Sequence, residues 1–322
     1  MKVLVTGATG GLGKALVAGL IAAGYAVRAT GRRDGQALRD MGADYIQADL
    51  TEAALNPLVS GIDGVFHAAA LSSPWGRDRD FQAINVDVTR NLLAAARRAG
   101  CRRFIFVSSP SVYARERDQL ELRESDPIAE RPLNAYARTK GEAEGLVRAA
   151  SDAGMACVAL RPRAIIGPDD DVLLPRFLRL IKKGRFPLVH GGRALVELTD
   201  VRDVVRALIA AYMRAPEIGG AVINISGGQA VSVRALIGEL ADAMGRQVRF
   251  LPMPYGALRV IASSNETVCG LLPGRPEPAL TVYTLSALAF SQTFDMSLAR
   301  ELIDYKPQYD AVKAACELGR RS

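Results

Sequence analysis

Glycines at positions 7, 10 and 13, set between an aliphatic run and a helical run, constrain this chain more than any other feature. The stretch reads Val3-Leu4-Val5-Thr6-Gly7-Ala8-Thr9-Gly10-Gly11-Leu12-Gly13. Lys2–Thr6 is aliphatic and β-branched and predicts a strand. Leu12, Leu16, Leu20 and Ala23 then recur at helical spacing until Gly24 stops the run. A strand that turns through glycines into a helix lets backbone N–H groups approach an anion with no side chain in the way. The dipole at the helix N-terminus adds to the attraction. At the first strand–helix junction of an alternating chain this geometry points to a dinucleotide pyrophosphate. Gly7, Thr9, Gly10, Gly11, Leu12 and Gly13 are its candidate contacts.

The alternation continues for two thirds of the chain. Strands are predicted at Ala26–Thr30, Tyr45–Ala48, Gly64–His67, Phe104–Ser108 and Cys157–Arg161. Long helices are predicted at Phe81–Ala99, with Leu92, Leu93 and Ala96 toward the sheet, and at Asn134–Ala153. Such βαβ units build a parallel sheet. Beyond Gly167-Pro168, prolines and glycines interrupt the pattern. Leu195–Leu198 and Val222–Ile225 still read as strands, with a helix over Val201–Met213 between them. The expectation is an α/β fold, a Rossmann doubly wound parallel sheet with a smaller interrupted C-terminal substrate lobe. Residues 1–165 would form the dinucleotide-binding core and 195–226 would return to it. Residues 166–194 and 227–322 would form the lobe over the cofactor edge.

Composition removes several alternatives. No run approaches the roughly 20 apolar residues of a membrane span, and the chain opens on a strand rather than a leader, so a cytoplasmic protein is expected. The four cysteines (Cys101, Cys157, Cys269, Cys316) lie far apart and read as reduced thiols. The two histidines, His67 and His190, are too few for a histidine-rich metal site, and no metal is expected. The net charge of +7 comes from scattered doublets such as Arg97-Arg98 and Lys182-Lys183, not from a stripe that would track nucleic acid. The expected partner is a small-molecule substrate, with no nucleic acid and no membrane span.

The loop spacing, Gly-x-x-Gly-x-x-Gly, resembles the TGxxGxxG loop of the extended short-chain dehydrogenases/reductases, the NAD-dependent epimerase/dehydratase fold. The second strand ends Arg28-Ala29-Thr30-Gly31-Arg32-Arg33 with no acid before Asp34. An acid there would hold a ribose 2′-hydroxyl, whereas a 2′-phosphate favours arginine. The segment resembles the VRATVRD stretch of dihydroflavonol reductases, whose arginine at the place of Arg32 meets the phosphate. Arg32, ahead of Arg33, therefore favours NADP(H), with NAD(H) the alternative; plain solvated loop charges are the competing reading. The resemblance puts Asp49 and Leu50 at the edge of the adenine, although Asp49 also suits a surface turn. Ala68, Ala69 and Ala70 follow the fourth strand, and small residues there suit close backbone passage beside a cofactor. His67 reads as a packed strand-end residue.

Tyr136 and Lys140 stand four apart at the start of a predicted helix, so both face one small volume. A free tyrosine, with a pKa of about 10, is a poor acid–base catalyst near neutrality. A neighbouring ammonium and an oxidised nicotinamide would both lower it. A phenol so tuned exchanges a proton with a carbonyl oxygen as hydride moves. Lys140 also suits the nicotinamide ribose. Phe106-Val107-Ser108-Ser109-Pro110-Ser111-Val112-Tyr113 resembles the family's strand-end SSxxVY segment, and alignment on Val112-Tyr113 makes Ser109 its catalytic serine. Ser108 and Ser111 are the runners-up. No Gly-x-Ser-x-Gly elbow is present, which removes a serine hydrolase.

Leu160-Arg161-Pro162-Arg163-Ala164-Ile165-Ile166-Gly167-Pro168 resembles the family's RPxxxxGP segment, which implies that Pro162 passes the nicotinamide. Nucleotide-sugar enzymes of this superfamily commonly carry an asparagine at the place of Ala164 to hold phosphates, a contact alanine cannot make. Leu280-Thr281-Val282-Tyr283, Thr293–Arg300 and Tyr305-Lys306-Pro307 look like the C-terminal part of 3β-hydroxysteroid dehydrogenase-like reductases. The resemblance thus implies an NAD(P)-dependent oxidoreductase interconverting a ketone and a secondary alcohol on a bulky, apolar, sterol-like or β-keto substrate. The alternatives are a nucleotide-sugar epimerase or dehydratase with retained NAD, and a non-catalytic cofactor-sensing regulator. Leu173, Leu174, Phe177 and Leu178 form either a pocket wall or a structural helix face, and Arg163 and Arg176 are candidates for a substrate anion. The two long helices form a four-helix interface in many relatives, so a homodimer is expected.

Overall fold

The computed structural model describes residues 1–170 and 173–321. Seven strands form one all-parallel sheet: β1 (Lys2–Thr6), β2 (Ala26–Gly31), β3 (Asp44–Gln47), β4 (Gly64–His67), β5 (Arg103–Val107), β6 (Ala156–Pro162) and β7 (Val222–Ile225). Their order across the sheet is β7-β6-β5-β4-β1-β2-β3. The order of winding reverses between β1 and β4, whose parallel registers pair Val3 with Gly64 and Thr6 with His67. In open α/β sheets ligands bind outside the strand C-termini at such a switch point.

Successive residues of β1 face opposite sides, and the core divides accordingly. Val3 and Val5 pack with Leu16 and Leu20 of α1 (Gly11–Ala22) and with residues after Asp200. Leu4 packs on the other side with Leu92 and Ala96 of α2 (Val88–Arg98) and with Ala143 and Val147 of α3 (Ala135–Asp152). The helix α4 (Val201–Ile218) closes the first side through Val204, Leu208 and Tyr212. Fully burying such aliphatic side chains contributes about 1.5–3 kcal/mol each.

Two elements differ from the sequence expectation. The helix predicted over Phe81–Ala99 begins instead at Asp78, and a π turn spans Gln82–Asp87 before α2. The turn aims the buried Asn85 side chain at the loop after β4 and at α3. Its Oδ1 accepts from the Leu71 N–H at 2.8 Å and its Nδ2 donates to Thr139 Oγ1 at 3.0 Å. Leu195–Glu197 does not enter the seven-stranded sheet but pairs antiparallel with Ala230–Ser232. Val196 and Leu198 there pack against Leu236 and Leu240 of the following helix, so a separate core captures the strand. A three-residue strand carries no information about its partner.

The remaining strands form parallel pairs outside the main sheet: Ile165–Ile166 with Thr199–Asp200, Arg185–Val189 with Arg249–Met253, and Gln119–Leu122 with Gln292–Phe294. The first of these pairs borders a cleft whose floor is the C-terminal edge of the main sheet. Among the described residues no helix is long and apolar enough to cross a membrane.

Candidate active site

A cleft of about 1850 Å³ runs along the switch point. Drug-sized ligand pockets span about 300–1,000 Å³, so this cleft has room for a dinucleotide and a second molecule. Gly7, Thr9, Gly10, Gly11, Leu12, Gly13, Arg32, Arg33, Asp49, Leu50, Ala68, Ala69, Ala70, Ser109, Tyr136, Lys140 and Pro162 all border it.

The glycine turn fits a pyrophosphate on steric and electrostatic grounds. Gly7 has φ +67°, and a Cβ there would lie 2.7 Å from the Ala69 backbone, so the loops after β1 and β4 touch. A Cβ on Gly13 would lie 2.1 Å from the Gly7 carbonyl oxygen. The helix begins with Gly10 as an N-cap that offers no side chain, and its first turn carries no acid. Its N-terminal N–H groups and dipole are thus left for an external anion. Across the cleft, Asp169 lies over this turn: its carboxylate accepts from Lys14 Nζ at 2.7 Å, and its carbonyl oxygen would be 2.5 Å from a Cβ on Gly11.

The two arginines after β2 do different things. Arg33 Nη2 donates to the Thr9 carbonyl at 2.6 Å and braces the glycine turn. The Arg32 side chain is exposed on the cleft wall, close enough to Asp49 to lower its carboxyl pKa. Asp49 also closes a turn, since its Oδ1 accepts from the Thr51 N–H at 3.0 Å and the Thr51 hydroxyl at 2.7 Å. These Thr51 bonds are the main cause of its lowered pKa.

At the other end, α3 starts where Asn134 Oδ1 accepts from the Ala137 N–H at 2.9 Å, which puts Tyr136 in the first turn and Lys140 in the second. The Ser109 and Ser72 hydroxyls lie against the Tyr136 phenol and favour its ionised form, but burial outweighs them and raises its pKa above the usual value. Lys140 is buried, its Nζ donates to the Val107 carbonyl at 2.6 Å, and burial lowers its pKa to about 7. The direction of the phenol's shift is set by burial, and the Lys140 ammonium is not among its causes. Burial dominates both groups, and the lysine is itself only partly charged near neutrality.

Tertiary contacts separate the three serines. Ser108 Oγ donates to Glu144 Oε2 at 2.6 Å, in a buried cluster where Arg161 Nε donates to the same oxygen at 3.0 Å. Arg161 also contacts the Tyr113 hydroxyl and stacks on its ring at 4.6 Å. Ser111 Oγ is buried with no partner among the described residues. Ser109 is left facing Tyr136, its Oγ also accepting from the Ser111 N–H at 3.2 Å. His67 is a packed strand-end residue: its ring nitrogens meet Thr6 Oγ1 at 2.7 Å and Thr89 Oγ1 at 2.9 Å, and burial lowers its pKa to about 3.

The stripe on the helix Leu174–Lys182 divides between its two readings. Leu174 and Leu178 are buried in a core separate from that of the main sheet, whereas Leu173 and Phe177 line the cleft. Of the two candidate anion-binding arginines, Arg176 is committed to Glu277 at 2.7 Å. Ser72 and Tyr283, which also border the site, were not among the residues drawn from the sequence. Ser72 lies in a loop with no spacing that ties it to Tyr136. Tyr283 sits in a helix more than a hundred residues downstream of it.

The model of the NAD dependent epimerase/dehydratase family matches residues 3–226. The chain is 37% identical over 320 residues to the protein YbjS of Escherichia coli strain K12, covering 95% of this chain and 93% of that protein. It is 36% identical to the 2-alkyl-3-oxoalkanoate reductase of Stenotrophomonas maltophilia strain K279a, covering 96% of this chain and 95% of the relative. The structure of MoeE5 in complex with UDP-glucose and NAD superposes with a TM-score of 0.79 at 27% identity, covering 100% of this chain and 99% of that one.

Proposed function

The chain belongs to the NAD dependent epimerase/dehydratase family, and we propose that it is an oxidoreductase, preferring NADP(H) over NAD(H), that interconverts a ketone and a secondary alcohol on a bulky, largely apolar substrate. The observation that carries this reading is the grouping of Tyr136, Ser109 and Ser72 at one end of the cleft, with the apolar side chains of Leu173 and Phe177 on its wall. The similarity to a reductase named for an oxoalkanoate supports a keto substrate.

The nicotinamide supplies or accepts the hydride when bound. Tyr136 gives its phenolic proton to the ketone oxygen as the carbon is reduced, and takes it back when the alcohol is oxidised. Ser109 donates a hydrogen bond to the same oxygen and stabilises its developing charge. The raised pKa of Tyr136 keeps the phenol protonated, which suits the reductive direction. Gly7–Gly13 would hold the pyrophosphate, Lys140 the nicotinamide ribose, and Arg32 a 2′-phosphate.

Ala164 weighs against a nucleotide-sugar substrate. Its φ of +38° lies in the left-handed region, which asparagine tolerates better than alanine. Alanine there bears the strain and offers no polar group to a phosphate. We also propose a homodimer through α2 and α3; a sample that elutes only as monomer at micromolar concentration contradicts it. The test of the activity is a turnover screen with NADPH and NADH in parallel, against apolar ketones, β-keto compounds, steroids and nucleotide sugars. NADPH oxidation with an apolar ketone is the expected result. Interconversion of a nucleotide sugar with no net nicotinamide turnover would overturn the reading.

A further inference from the structure

Arg163 is a half-buried cation with a buried Nε and, among the described residues, no anion paired with it. Its main chain is fastened on both sides: the N–H donates to the Ile225 carbonyl at 2.8 Å, and the carbonyl accepts from the Thr199 hydroxyl. Its side-chain Nε is buried with no hydrogen-bond partner, and among the described residues no carboxylate forms an ion pair with it. Arg161, two residues earlier, shows the contrast, since Glu144 and Tyr113 occupy its guanidinium. The carboxylate whose field reaches Arg163 is Glu197, and Glu197 is already bonded to the Ser226 hydroxyl and the Phe294 N–H. A guanidinium does not escape the cost of burial by losing its proton under ordinary conditions. A guanidinium whose buried N–H has no acceptor carries a desolvation cost that an incoming anion offsets.

Arg163 borders the same cleft as Tyr136 and Ser109. Tyr283 borders the same cleft, within the electrostatic reach of both Arg163 and Tyr136. Leu173, Phe177, Leu280 and Leu288 line the cleft with apolar surface. We propose that Arg163, with the Tyr283 hydroxyl beside it, binds a carboxylate of the substrate, so that the enzyme acts on oxo and hydroxy acids carrying a long apolar chain. This rests on the ketone–alcohol reading: the reacting oxygen sits at Tyr136 and Ser109, the carboxylate at Arg163, and the chain along the apolar wall. Arginine suits the role because its planar fork meets both carboxylate oxygens.

The test runs in the oxidative direction, because 3-oxo acids lose carbon dioxide on standing whereas 3-hydroxy acids do not. A long-chain 3-hydroxy acid, its methyl ester and the secondary alcohol of equal chain length are compared with NADP as oxidant. Each turnover moves one hydride from the carbinol carbon to the nicotinamide and one proton from the hydroxyl. Wild-type kcat/KM is expected to favour the acid over the ester by about tenfold to a hundredfold, the range of a charge-assisted contact. Arg163→Met should abolish that preference while ester turnover stays within a few-fold, and Arg163→Lys should keep part of it. An acid-to-ester ratio near one in the wild type overturns the proposal, whether or not either variant folds. So does an Arg163→Met variant that loses acid and ester alike. Turnover of the alcohol without preference for the acid overturns this proposal and leaves the ketone–alcohol reading standing, while no turnover of any of the three, with no NADPH oxidation in the ketone and steroid screen, overturns both.

Discussion

Ser109 faces the phenol of Tyr136, and it does so because Ser108, its neighbour in the chain, is turned into the core, where its hydroxyl donates to Glu144 at 2.6 Å. The two serines are chemically identical and adjacent on the same strand end. Alternation along an extended chain sends their side chains in opposite directions, and a buried acid waits on one side only. Replacing Tyr136 by Phe should lower kcat by about 10²–10⁴-fold, the share of a positioned proton donor, while dinucleotide affinity stays within a few-fold. Ser108→Ala should instead lower the melting temperature, since it breaks the Glu144–Arg161 cluster. Stopped-flow turnover and thermal melts on both variants separate these effects.

Glycine substitutions should divide by position. In Gly13→Ala the new methyl would lie 2.1 Å from the Gly7 carbonyl oxygen, an encounter between two backbone segments that cannot both stay in place. Dinucleotide binding should fall below detection by titration calorimetry. Gly238→Ala adds a methyl with nothing within 4 Å, inside the helix Val233–Ala243. That change should raise stability by about 0.5–1 kcal/mol, the usual difference between the two residues in a helix.

His67 makes stability depend on pH. Its folded pKa of about 3 lies below the ordinary histidine value of 6.5 because burial disfavours the imidazolium. Between these values the unfolded chain binds the extra proton, so acid pulls the equilibrium toward unfolding. Its contribution is intact above about 6.5 and declines as pH falls toward about 3, at up to roughly 1.4 kcal/mol per pH unit. Urea midpoints measured from pH 7 to pH 4 should drop more steeply for the wild type than for His67→Gln. Parallel slopes would contradict this.

Lys140 should set function against stability. Burial lowers its pKa to about 7, so at neutral pH and below the fold carries the cost of a buried ammonium held by one backbone carbonyl. The cost shrinks as pH rises from about 7 toward the ordinary lysine value of 10.5, and stability rises with it. Lys140→Met should lose turnover yet melt at a higher temperature at pH 7, with a flatter dependence between pH 7 and pH 10. Calorimetric scans across that interval supply the comparison.

Arg32 and Arg33 should part company in cofactor choice. The exposed Arg32 stands on the cleft wall beside Asp49, whereas Arg33 braces the Thr9 carbonyl. Arg32→Ala should weaken NADPH by about tenfold to a hundredfold, as loss of a charge-assisted phosphate contact does, and leave NADH nearly untouched. Arg33→Ala should weaken both alike through the glycine turn. Fluorescence titration with each nucleotide decides it.

The features legible in the sequence were those that neighbouring residues create together. The glycine turn follows from a strand, three glycines and a helix within thirteen positions. The pairing of Tyr136 with Lys140 on one face follows from helical spacing alone, and the parallel strands follow from alternating periods. The sequence also left questions open where the deciding contact is remote. That Leu195–Glu197 joins Ala230–Ser232 and not the main sheet depends on a separate core built by later helices. The π turn at Gln82–Asp87 has no periodic signature, because its buried Asn85 answers partners in the loop after β4 and in α3. The placing of Ser72 and Tyr283 beside Tyr136, the capture of Arg176 by Glu277, and the isolation of Arg163 are likewise tertiary. Backbone geometry is set by near neighbours, whose residue types are written side by side. Whether a charge is paired, or a phenol buried, is set by segments a hundred residues away, and only the folded chain brings those together.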